Sequence, residues 1–153
     1  HLHDRHMRHH SGPAAGGISL YQIDNAISPH AQELSSWILW PNLALQVNPG
    51  TNFVVFQFLP NGVDRTIAYV DWYFGPWVET AERDRIIEDH RATTLQEDID
   101  LVANVQIGLG NDGYDRGVLM VDATHPNAGH SEHPVAHLQN LWREAMGKDF
   151  AEF

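Results

Sequence analysis

The hydrophobic pattern changes its period partway along this chain. Leu43, Leu45 and Val47 alternate with Ala44 and Gln46. The runs Asn52 to Leu59 (NFVVFQFL) and Thr66 to Phe74 (TIAYVDWYF) are dense in β-branched and aromatic residues. Pro49-Gly50 and Pro60-Asn61-Gly62 separate the three runs, and short turns between such runs predict an antiparallel meander. Ser35 to Trp40, ended by Pro41, predicts a further strand, and Ile18 to Ile23 a short one before it. After Gly75-Pro76 the period becomes helical. Thr80 is the expected N-cap, with Glu82 and Asp84 suiting the positive end of the helix dipole. The helix is expected to run to about Leu109, with a bend near Thr93-Thr94 and an end marked by Gly108 and Gly110. Residues 111–130 read as loop with one apolar run, Val118 to Val121. Ser131 is expected to cap a last helix that turns Val135, Leu138, Trp142 and Met146 inward. The class is therefore α+β, with an antiparallel sheet, a long helix laid on it, and a C-terminal helix.

One residue breaks the pattern of the long helix. Leu95, Val102, Val105 and Leu109 recur at helical spacing, and Asp98 falls on the same stripe, three after Leu95 and four before Val102. An apolar stripe is normally turned inward. An unpartnered carboxylate there would cost on the order of several kcal/mol. Asp98 is then exposed in a cavity, paired with a cation such as Arg65 or Arg83, or bound to a metal. Asp100 points about 200° away round the helix, so the two acids cannot act together.

Composition removes several classes. The chain has 153 residues, one domain's worth, with 42% hydrophobic residues including five Trp, six Phe and four Tyr. That supports a core and argues against wholesale disorder. Twenty acids against nine bases, a net charge of −11, argue against a nucleic-acid surface. Without cysteine there is no disulfide, thiolate metal site or thiol nucleophile. No apolar run approaches the roughly 18 residues of a membrane span, and no signal peptide is visible. A cytoplasmic location with no membrane partner is the expectation. Residues 1–17 form a histidine-rich head closed by a Gly/Pro/Ala stretch, which reads as disordered or tag-like.

Eleven histidines offer metal-binding chemistry. His1 and His6 are five residues apart, a spacing that chance easily produces in such a tract. His133 and His137 share a helix face, but no HExxH is present, and solvated histidines are the plainer account. His90, His125 and His130 are scattered. Gly108, Gly110 and Gly113 match G-x-G-x-x-G formally, yet they follow a helix and precede a loop, the wrong setting for a dinucleotide site. No G-x-S-x-G elbow or P-loop appears.

From about Trp37 onward the chain resembles the C-terminal catalytic domain of Rieske-type non-haem iron oxygenases, the ring-hydroxylating alpha subunits. WILWPNLALQV (37–47), the run from Pro49 to Gly62, LQEDIDLVANVQIGL (95–109) and SEHPVAHLQNLWREAM (131–146) carry the resemblance. It implies a helix-grip (START-like) fold over 18–153, a sheet curled round the long helix with a pocket between them. The 1–17 head would be a remnant of the iron-histidine segment. It places the iron carboxylate on the second acid of an acidic pair, here Asp98. The H-x-x-x-x-H spacing of the family carries over to His1 and His6.

The resemblance also implies a mononuclear Fe(II) cofactor and hydroxylation of an organic substrate, aromatic or quaternary amine, with O2, by a monooxygenase or dioxygenase outcome. Aromatic compound catabolism is one such setting. The 2Fe–2S Rieske cluster needs two cysteines and two histidines, so it is expected on an absent N-terminal domain or a partner. A reductase or ferredoxin would supply electrons, and a homotrimer is the implied assembly. The aromatic sheet residues Phe53, Phe56, Phe58, Tyr69 and Trp72 are expected in the core. The alternative from another class is a non-catalytic helix-grip module that binds an apolar ligand without metal.

Overall fold

The computed structural model describes residues 1–11, 34–48, 52–114, 117–121 and 131–147. The strand expected at Ile18 to Ile23 and histidines His125 and His130 lie outside them. Five strands form one antiparallel sheet in sequence order: β1 (His6–Ser11), β2 (Leu34–Leu39), β3 (Leu43–Val47), β4 (Asn52–Pro60) and β5 (Thr66–Phe74). Then come α1 (Thr80–His90), a wide π-type turn (Arg91–Leu95), α2 (Gln96–Leu109) and α3 (His133–Met146). The α+β class and the helix-grip arrangement of meander and long helix stand as expected.

β1 corrects the expectation of a disordered head over residues 1–11; residues 12–17 lie outside the described residues. Its sequence HMRHHS has no apolar alternation, but its backbone pairs with β2 from His6↔Leu39 to Ser11↔Leu34. Residues 1–3 fold back on it: the Arg8 N–H donates to the His1 carbonyl at 2.8 Å, and the His3 N–H to the His6 carbonyl at 2.9 Å. Met7 is the buried apolar residue that seats this edge.

Register sorts the side chains onto two faces, because successive residues of a strand alternate. One row runs Met7, Ile38, Ala44, Phe56, Val70; its neighbour runs His9, Ser36, Gln46, Val54, Trp72. This face receives α1. The opposite face carries His6, Leu39, Leu43, Gln57 and Tyr69 in one row and Arg8, Trp37, Leu45, Val55 and Asp71 in the next. There the Arg8 guanidinium lies 5.4 Å from the Trp37 ring centre, and Phe53 stacks on Tyr73 at 4.6 Å.

The tightest packing sits at the sheet-to-helix junction. Ile86 and Val78 are buried with Phe74 against them, and Val54 is fully buried on the α1-facing side. The β3–β4 hairpin is closed by a buried amide ladder. Gln46 Nε2 donates to Asn48 Oδ1 at 2.7 Å, and Asn48 Nδ2 to Asn52 Oδ1 at 2.8 Å. At the far end Trp142 of α3 meets Trp40 edge-on at 4.8 Å. The Met120 backbone exchanges hydrogen bonds with Glu132, just before α3.

Several packing expectations are corrected. Phe53, Phe58 and Tyr69 are exposed, while Phe56 and Trp72 are half-buried. Val135, Trp142 and Met146 of α3 are exposed, and so is the whole apolar side of α2, with Val102 at 65%. Periodicity identifies which side of a helix is apolar; it does not say whether a partner lies against it. The caps also differ. Glu79 precedes α1 and Glu132 precedes α3, neither making a side-chain cap bond, so Thr80 and Ser131 are not the caps. The Ser131 hydroxyl instead contacts His133 Nδ1.

Candidate metal centre

Asp98 lies in the first turn of α2 and is exposed. The inward-turned carboxylate expected from the stripe is therefore corrected: the stripe exists, but in the described residues it faces open space. No hydrogen bond or ion pair engages Asp98 among the described residues. The cation-paired account fails for Arg83, whose Nε donates to the Val78 carbonyl at 2.7 Å, and Arg85 is committed to Glu82 and Asp89. Asp100 turns away as expected and accepts from Gln96 Nε2 at 2.9 Å.

The two candidate imidazoles lie elsewhere. His6 projects from the face of the sheet opposite α1, with its ring stacked on His3 at 4.2 Å. His1 is exposed, and its terminal ammonium donates to the Arg8 carbonyl at 2.8 Å. Among the described residues no three His, Asp or Glu side chains gather to hold a metal. The structure thus does not bring Asp98, His1 and His6 together. The donor chemistry of Asp98 alone, an open carboxylate with no competing cation, fits one position of a two-histidine, one-carboxylate iron site. The trio is not assembled.

A further residue, on the helical segment that leads to Asp98, takes its meaning from the fold rather than from spacing. His90, the last residue of α1, is 2% exposed. The Trp72 indole N–H donates to its Nδ1 at 2.9 Å, and Phe56 and Trp72 both meet the ring edge-on, at 6.2 and 5.7 Å. An accepting Nδ1 carries no proton, so the ring is the neutral form protonated at Nε2. Burial holds the His90 pKa below the usual imidazole range, while the nearby negative charge of Asp98 pulls it back up. The available signal was the Ile86–His90 spacing of four, which puts both on one helix face.

An antiparallel meander followed by a long helical segment that bears an exposed acid, Asp98, is an arrangement also visible in known proteins. The sequence pattern of the ring hydroxylating alpha subunit (catalytic domain) family matches residues 4–148, and the chain belongs to that family. Among individual proteins, it is 35% identical over 132 residues to the carnitine monooxygenase oxygenase subunit of Acinetobacter baumannii, covering 85% of this chain and 34% of that protein. The corresponding subunit of Escherichia coli is 38% identical over 105 residues, covering 67% of this chain and 28% of that one. The chain spans about a third of the length of these relatives. Among solved structures, a quaternary ammonium Rieske monooxygenase superposes with a TM-score of 0.66 at 32% identity, covering 72% of this chain and 30% of that one. The complex of such an enzyme with gamma-butyrobetaine superposes at 0.64, with 32% identity over 72% of this chain and 32% of that one. No helix among the described residues is long and apolar enough to cross a membrane.

Proposed function

We propose that the chain is the substrate-oxidising part of a Rieske-type monooxygenase acting on a quaternary ammonium compound, with Asp98 as its iron carboxylate. The carrying observation is the free Asp98 carboxylate on the long helix, in a chain similar to carnitine monooxygenase subunits over 85% of its length. A mononuclear Fe(II) would supply dioxygen activation when bound. His1 and His6 are nominated as its imidazoles by the family's H-x-x-x-x-H spacing. The residues themselves supply a binding surface. Phe56 and Phe58 lie nearly parallel at 6.3 Å on the α1-facing side of the sheet, beside Trp72. Their ring faces suit a quaternary ammonium, which cannot accept or donate hydrogen bonds and is drawn to π-electron density. Electrons would come from a 2Fe–2S cluster outside these residues, fed by a reductase or ferredoxin, in a homotrimer; a cytoplasmic setting suits such a donor.

Iron content per chain after anaerobic Fe(II) reconstitution tests this reading. One iron per chain, lost in Asp98→Ala, is the expected result. Iron retained in Asp98→Ala removes Asp98 from the site. Iron retained in His1→Ala and His6→Ala moves the imidazole role to other histidines. Absence of iron with tight binding of a hydrophobic probe would favour the metal-free ligand-binding module.

A further inference from the structure

The helix that bears Asp98 is anchored at one end. α1 contributes Ile86 and His90 to the buried set, whereas α2 contributes no buried residue. His90 is therefore the last buried residue before Asp98, and it reaches the sheet through the side-chain hydrogen bond from Trp72. Between the two lies the wide turn Arg91–Leu95. In an unbroken α-helix, eight residues turn about 800°, leaving Asp98 roughly 80° round from His90. A π-type turn absorbs about one extra residue, so the spacing acts as seven, about 700°, and brings the two to within roughly 20°.

We propose that His90 is a positioning residue for Asp98: the Trp72 hydrogen bond and the wide turn after it fix the rotation at which α2 presents the carboxylate. This rests on Asp98 being the iron carboxylate. One observation besides the helix phase supports it. The ring is held by two residues, through the Trp72 N–H and through edge contacts to Phe56 and Trp72, so it has one orientation. Among the described residues nothing buries a side chain of α2, so its carboxylate takes its bearing from the nearest fixed point, and His90 is that point.

The test compares Asp98→Ala, His90→Phe, His90→Gln and Trp72→Phe in the intact protein. Its readouts are Fe(II) affinity and the visible absorption of the Co(II)-loaded form, which reports ligand geometry independently of turnover. Phe keeps the bulk of the ring but accepts no hydrogen bond; the Gln carbonyl can still accept from Trp72. The expected result is metal lost in Asp98→Ala, Fe(II) affinity reduced about 10- to 100-fold in His90→Phe and Trp72→Phe with an altered Co(II) spectrum, and substantial recovery in His90→Gln. Should His90→Phe fail to fold, Trp72→Phe breaks the same bond from the other side. Wild-type affinity and spectrum in His90→Phe or Trp72→Phe, with Asp98→Ala metal-free, overturns the inference and leaves the iron assignment standing. Metal retained in Asp98→Ala overturns both.

Discussion

Replacing Ile86 and Val102 by alanine, one at a time, separates the anchored end of the long helix from its free end. Ile86 is 1% exposed and packs with Val78 and Phe74. Truncation removes three carbons, about 2.4 kcal/mol at roughly 0.8 kcal/mol per buried group. The cavity left behind raises the loss to about 3 kcal/mol, inside the range for such changes. For a chain of this length that lowers Tm by roughly 6–12 °C. Val102 is 65% exposed, so alanine forfeits little burial and gains about 0.6 kcal/mol of helix propensity. The two nearly cancel, leaving Tm within about 2 °C. Differential scanning calorimetry of this chain reads both. A drop for Val102→Ala as large as that for Ile86→Ala would refute the uncovered placement of α2. An Ile86→Ala change under about 2 °C would refute the anchoring at the sheet-to-helix junction.

Acid should destabilise the fold through His90. Its folded pKa lies below the unfolded value near 6.5, so the unfolded chain binds the extra proton first. The stability it contributes is complete above about pH 6.5 and falls as pH drops from there toward the folded pKa, by up to about 1.4 kcal/mol per pH unit. Urea midpoints measured from pH 7.5 down to 5 should show this slope, and His90→Phe should flatten it; an unchanged slope would exonerate His90. Asn48→Ala should cost about 2–3 kcal/mol by removing the buried amide that links Gln46 to Asn52, and a urea midpoint equal to wild type would contradict that ladder.

How much could be seen in the residues depended on how local the cause was. The strands at 43–47, 52–60 and 66–74 announced themselves through their own side chains, by alternation in the first and by β-branched and aromatic density in the other two. The helix from Thr80 to Leu109 did so by its spacing, and Thr93-Thr94 correctly marked the irregular turn. β1 stayed hidden because HMRHHS is held by backbone pairing to β2, a non-local cause, with Met7 as its buried apolar contact. The inward sense of α2 failed for a related reason: an amphipathic pattern needs a surface to meet. Asp98 was visible as an anomaly among aliphatics, whereas His90 gained meaning only when the fold placed Trp72 beside it. His1 and His6 show the limit of spacing in a histidine-rich tract, since strand register sets His6 on the face turned away from α1.

The irregular stretch Arg91–Leu95 stores a spare residue. Give it back, by deleting Thr93, and the ladder can revert to ordinary pitch while the flanking segments keep their bearings. The same deletion between Gln96 and Asp98 would swing the carboxylate about 100° round the axis. Length variation in this helix is therefore affordable at that stretch and ruinous just beyond it, so an aligned gap there is no sign of lost chemistry.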